Sequence, residues 1–326
     1  MHVLVRLLGL MLISGQTVSA AAGDSASRYP NKPVRLIVPF APGGSSDVVM
    51  RIITAKLFEV LGEQFVLDNR PGAGGLIGGD IVVKAIPDGY TLLLANPGPS
   101  VGGPLLTKST PYKVTEFTPI VFLGYMPLIL VANPAFAPNN PAELLAYLNA
   151  NPGKVNWGSS GYASSTHIGQ MLFKMATRTD STHVAYKGSG PAFPDLIGGR
   201  IQLMYASTLS AETQIKAGRM KVIGVASMKR LAIMPNVPTL TESGIKDAEA
   251  LSWYGISGPL KMEREIVGRL NTEINRILRI PDVRKHYDEL GFEVTGGAPA
   301  DFAKFVNREV EQLRKLIAVG ALRPES

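Results

Sequence analysis

Apolar and polar positions alternate along this chain in two distinct periods. Residues 34–39 (VRLIVP) form a near-continuous apolar run, the pattern of a strand buried on both faces. A Gly/Ser loop follows at 40–46, and then Val49, Ile52, Ile53, Leu57, Val60 and Leu61 recur at helical spacing up to Gly62, a helix stop. A second strand at 65–67 enters the Gly-rich stretch 69–75, a further helix runs to Ile86, and residues 90–95 (YTLLLA) read as a third strand. The pattern predicts a βαβαβ module with a parallel sheet. A second module of the same plan is predicted later: strand 154–157, loop 158–165, a helix carrying Ile168, Met171, Leu172 and Met175, strand 183–186, a Gly-rich loop at 187–191, another helix, and strand 201–205. Amphipathic helices at 266–278, 283–290 and 302–317 close the chain, with a short strand at 292–295 after Gly291.

Composition narrows what such modules do. The chain has 326 residues, 34 glycines, 24 prolines, no cysteine and a net charge of +7. Zero cysteine excludes disulfide frameworks, thiolate metal sites and thiol catalysis. Four histidines, one of them His2, argue against a histidine-based metal centre, so no metal and no cofactor is expected. The basic residues are scattered, which argues against nucleic acid. Residues 1–20 read as a secretory signal: Arg6 before a short apolar run at 7–13, then Val18-Ser19-Ala20 with small residues at the cleavage positions. No later stretch holds the ~20 apolar residues of a membrane span.

Candidate chemistry sits in the loops. In open parallel sheets, ligands bind beyond the carboxyl ends of strands, where helix N-termini offer unpaired N–H groups and a partial positive charge. Phe40, Ala41, Gly43, Gly44, Ser45, Ser46 and Asp47 form one such loop; Ser159, Ser160, Ser164, Ser165, Thr166 and His167 form a facing one. Asp47 caps a helix or accepts from a ligand ammonium. Read alone, each loop is equally an ordinary N-cap and turn. Gly72-Ala73-Gly74-Gly75-Leu76-Ile77 nearly matches a dinucleotide fingerprint, but Ile77 replaces the third glycine. Gly158-Ser159-Ser160-Gly161 is not a nucleophile elbow, although Ser160 or Ser164 with His167 leaves a hydrolase reading open.

One resemblance covers most of the chain. Residues 37–47 (IVPFAPGGSSD), Asn69-Arg70-Pro71-Gly72-Ala73-Gly74-Gly75, Pro87-Asp88-Gly89-Tyr90-Thr91-Leu92, Asn151-Pro152-Gly153-Lys154, Gly158-Ser159-Ser160-Gly161, Tyr186-Lys187-Gly188-Ser189-Gly190-Pro191 and Pro238-Thr239-Leu240 resemble the Bug family, the TctC-type solute receptors of tripartite tricarboxylate transporters. The resemblance implies an α/β fold of the two-lobed periplasmic-binding-protein type, each lobe a mostly parallel sheet flanked by helices. It divides the chain into 29–125 plus 253–326 as lobe one and 126–252 as lobe two, crossing near Gly124 to Met126 and near Leu251 to Tyr254. It also implies capture of a small carboxylate by main-chain N–H groups of the opposing loops, Lys187, Gly188 and Ser207 joining the residues above, and delivery to membrane transporter subunits by a monomeric periplasmic protein that is not an enzyme. A sensor presenting the solute to a membrane kinase is the alternative. Two departures stand out. Residues 96–100 read NPGPS after the third strand, and Ala206-Ser207-Thr208 occupies the place where members commonly carry an aspartate, which weakens the case for an amino-acid ligand.

Overall fold

The computed structural model describes residues 29–320 and 322; the expected signal at 1–20 lies outside them. In chain order the elements are β1 (Val34–Val38), α1 (Ser45–Leu61), β2 (Phe65–Asn69), α2 (Leu76–Val83), β3 (Thr91–Ala95), the single turn α3 (Gly103–Leu106), β4 (Phe117–Pro127), β5 (Ile129–Ala132) and α4 (Pro141–Ala150). They continue as β6 (Asn156–Ser159), α5 (Ser165–Thr177), β7 (Thr182–Ala185), α6 (Ser189–Ile197), β8 (Leu203–Ala206), α7 (Thr208–Lys216) and β9 (Lys221–Val225). The chain ends with β10 (Leu251–Pro259), α8 (Arg264–Leu278), α9 (Pro281–Glu289), β11 (Glu293–Val294) and α10 (Pro299–Ala318). No helix among the described residues is long and apolar enough to cross a membrane.

Two sheets result, one of six strands in the order β11-β4-β10-β3-β1-β2 and one of five in the order β7-β6-β8-β5-β9. Within the predicted modules the pairing is parallel: β1 with β2 and β3, and β6 with β7 and β8. The sheets are mostly parallel but not purely so: four of six strands and four of five point the same way. β10 runs antiparallel to both β3 and β4, and β5 antiparallel to β8 and β9. The reason is connectivity: β4 leaves the first sheet and β10 returns to it, so the two run in opposite directions. They lie side by side, Leu251 opposite Pro127 and Tyr254 opposite Gly124. The ladder carries on into the second sheet, where Leu128 N donates to Ala250 O and Ala226 N donates to Leu128 O.

Burial explains why β1 is apolar at every position but Arg35, which pairs with Asp68. It lies between β2 and β3, with Val34, Leu36, Ile37 and Val38 all fully buried. α1 lays Val49, Met50, Ile53 and Leu57 into the same core as Leu270 and Ile274 of α8, each worth about 1.5–3 kcal/mol relative to exposure. Gly62 ends α1 at φ 76°, its N–H closing onto Phe58 O, a conformation for which glycine carries no Cβ penalty. A separate apolar cluster joins the halves: Trp253, Phe302 and Leu313 with Ala163, Ile168 packed against it.

Candidate functional site

Four helices start at one cleft between the sheets. The N-terminal residues Gly44, Ser45 and Ser46 of α1, Ser165 and Thr166 of α5, Ser189 of α6 and the Ser207 cap of α7 line one cavity. Each start follows a strand's carboxyl end, as the parallel modules dictate. The first turns of helices leave N–H groups without intrahelical partners and carry partial positive charge. The remaining lining is Phe40, Asn96, Leu128, Ser160, Ser252 and Tyr254. The lining therefore contains neither Lys, Arg and His nor Asp and Glu. Its volume, about 30 Å3 for the centres of water-sized molecules, holds a few waters or the head of a small ligand.

The cleft is shut by direct contact. Ala41 N donates to Lys187 O at 2.9 Å across it. Glycines permit the approach: a Cβ at Gly190 would lie 2.6 Å from Pro42 O, and one at Gly74 would collide with Tyr162 O. Gly74, at φ 63°, thus explains the near-dinucleotide motif as a seat for the opposing loop.

A run of hydroxyls crosses the cleft floor. Ser165 Oγ donates to Ser252 Oγ at 3.3 Å, and Ser252 Oγ donates to Tyr254 Oη at 3.0 Å. Tyr254 Oη lies 2.7 Å from Ser45 Oγ. Either hydroxyl of that pair can donate, since each oxygen gives one hydrogen and also accepts. Burial pushes the Tyr254 phenol above its ordinary pKa, so it stays a neutral donor.

Several residues expected at the site are placed elsewhere. Asp47 sits in the first turn of α1, ion-paired to Arg51 at 2.9 Å; it neither caps the helix, which Gly44 does, nor lines the cavity. Gly43 is exposed, Ala41 and Lys187 spend main-chain groups on each other, and Gly188 packs against Ala41. Ser164 is the α5 cap: its Oγ donates to Gly161 O at 2.6 Å and accepts from His167 N. Ser159 is fully buried, 2.7 Å from His183 Nε2. His167 Nδ1 accepts from Ala163 N at 3.0 Å, and its ring stacks on His183 at 3.8 Å. Burial first, then nearby positive charge, lowers His167 to about 3 and His183 to about 4. Ser160 Oγ pairs with Thr166 Oγ1 at 3.0 Å; neither Ser160 nor Ser164 is given a histidine base. Among the described residues no cluster of three or more His, Asp or Glu side chains is arranged to hold a metal.

Sequence reading did not assign Asn96, Leu128, Ser252 and Tyr254 to the site, whereas Ser189 falls in the expected loop 187–191. Ser252 and Tyr254 carried a signal: they are i and i+2 on one strand face, at the expected crossing.

Comparison with known proteins settles the relationship. The family described as "Tripartite tricarboxylate transporter family receptor" matches residues 49–322. The chain belongs to this TctC (Bug) family of periplasmic solute-binding receptors. Protein BugT of Bordetella pertussis is 34% identical over 95% of each chain. An R. palustris protein solved with adipate is 32% identical, covering 91% of this chain and 100% of that one, with a TM-score of 0.88. MatC from Rhodopseudomonas palustris, solved with bound malate, is 30% identical, covers 89% and 100%, and has a TM-score of 0.85. The fold is accordingly that of the two-lobed periplasmic binding proteins, and the family is one of receptors.

Proposed function

We propose that this protein captures a small carboxylate between two lobes, 29–125 with 253–326 and 126–252, and hands it to a tripartite tricarboxylate-type membrane transporter after secretion through a cleaved signal at 1–20. The observation that carries the reading is the convergence of four helix N-termini on a cavity lined by neutral hydroxyls. Such a site compensates a negative charge through N–H groups and helix dipoles, and it offers no carboxylate to hold a cation. Ser45, Ser160, Thr166, Ser189 and Ser207 supply hydroxyl donors around the carboxylate oxygens. Ala206 is fully buried on β8, and the lining offers an α-ammonium group no carboxylate to accept its hydrogens. The binding of adipate and malate by the R. palustris relatives supports the class of solute.

Closure follows from the same contacts. A solute touching α1 and α5 together favours the shut state, since differential affinity is what moves a two-state equilibrium. The β4–β10 ladder, with Leu128 and Ala250 at its end, is the hinge. A thermal-shift panel tests the reading: mono- and dicarboxylates lacking an α-ammonium raise the melting temperature, by about 2.7 kcal/mol of stability at ~100 times the dissociation constant. Stabilisation by amines or neutral sugars alone contradicts it.

A further inference from the structure

Two helices that meet most of their neighbours closely leave a gap between each other. α5 turns Ser165, Ile168 and Leu172 toward it, and α10 turns Glu309, Leu313 and Leu316. Both sets repeat at the spacing of one helix face, so two core-type stripes face one another across an empty space of about 360 Å3, within the range of small-molecule pockets. This chamber abuts the anion site. Ser165 lines both, and two further steps of the chain divide them: Asn96 lines one and Pro97 the other, Ser252 one and Leu251 the other.

The two spaces differ in chemistry. The anion site is all hydroxyl and main chain. The chamber is mostly aliphatic, and its ionisable side chains are two carboxyls, Glu249 at the exposed edge and half-buried Glu309. One Glu309 oxygen accepts from Trp253 Nε1 at 3.0 Å; burial raises its pKa above the ordinary carboxyl value. No Lys or Arg lines this space. A second carboxylate entering it meets like charge without a counter-ion, whereas a hydroxyl or amine hydrogen finds an acceptor.

We propose that this chamber is a second subsite of the same cleft, and that the solute is a carboxylate with an apolar body and a distal hydrogen-bond donor. Its head sits at the helix N-termini, its body between α5 and α10, and its donor on Glu309. The inference rests on the carboxylate-receptor reading above and narrows its substrate class.

Calorimetric titration with propionate, adipate and 6-hydroxyhexanoate tests it, on the wild type and on the variants Leu172→Trp and Glu309→Gln. Propionate has the head alone, and the two longer probes differ only at the far end. The wild type binds 6-hydroxyhexanoate at least about tenfold more tightly than either other probe. Leu172→Trp fills the chamber and removes the preference over propionate, while propionate affinity stays within about twofold. Glu309→Gln keeps an acceptor for Trp253, removes the charge, and closes most of the gap between adipate and 6-hydroxyhexanoate. If propionate binds and 6-hydroxyhexanoate binds no better, or if Leu172→Trp weakens all three alike, the subsite is overturned and the receptor reading stands. Binding of none of the three to the wild type overturns both. Should Leu172→Trp unfold, the Glu309→Gln comparison decides alone: an unchanged gap overturns the subsite.

Discussion

At the scale of single residues, the site separates hydroxyls that face the cavity from those that hold its walls. Ser160 lines it and Ser164 does not. Ser160→Ala removes a donor from the solute, and calorimetry should show a loss of about 1.5–3 kcal/mol of binding with the apo melting temperature almost unchanged. Ser164→Ala deletes the α5 cap and should cost about 1 kcal/mol of stability in denaturant unfolding, with or without ligand. Equal effects on affinity from both variants would contradict this division. Asp47→Ala should leave affinity intact and cost about 0.5–1 kcal/mol, the worth of a first-turn acid and an i,i+4 pair. The Gly/Ser loops were legible as loops at the cleft because glycine, serine and a following helix form a local pattern. Tyr254 and Ser252 were not, because their hydroxyls reach Ser45 and Ser165 only through tertiary pairing of β10. Asp47 was misplaced for the opposite reason: an acidic residue near a helix start reads as a cap, and here Gly44 already holds that position.

Elements were legible where their period was clean. β1, α1, α8 and α10 stand within a few residues of the expected ranges, since an apolar run buries both faces of a strand and an i, i+3, i+4 stripe buries one face of a helix. The antiparallel β4, β10 and β5 were not foreseen as strands, for their partners lie far along the chain, β10 pairing with β4 and β3 and β5 with β8 and β9. That pairing is also why each mostly parallel sheet carries strands of the opposite sense. Two predictions belong to elements. Gly74→Ala puts a Cβ against Tyr162 O, so the loops cannot meet. Solution scattering should then show no contraction on saturation with a carboxylate that contracts the wild type, and contraction in both would refute this role for Gly74. Tyr254→Phe cuts the hydroxyl run between α1 and α5. It should weaken carboxylate binding by roughly 1–3 kcal/mol, and unchanged affinity in calorimetry would contradict the run.

At the scale of the molecule, two stacked neutral histidines give stability a pH dependence. His167 is lowered to about 3 and His183 to about 4, whereas an unfolded histidine titrates near 6.5. Below ~6.5 the unfolded chain takes up protons that the folded chain refuses, so their contribution is complete above that pH and shrinks as pH falls toward 4. Urea unfolding should lose up to about 1.4 kcal/mol per pH unit for each histidine between those limits. His183→Gln should flatten the slope, and a wild-type profile already flat from pH 7.5 to 5 would contradict the assignment. The account as a whole rests on a shut, uncharged cleft that retains an anion unchanged. Native mass spectrometry of the purified chain titrated with carboxylates measures that directly. The account predicts one added carboxylate per chain, of unaltered mass, persisting through prolonged incubation. A carboxylate never retained, or one converted to a new mass, would contradict it.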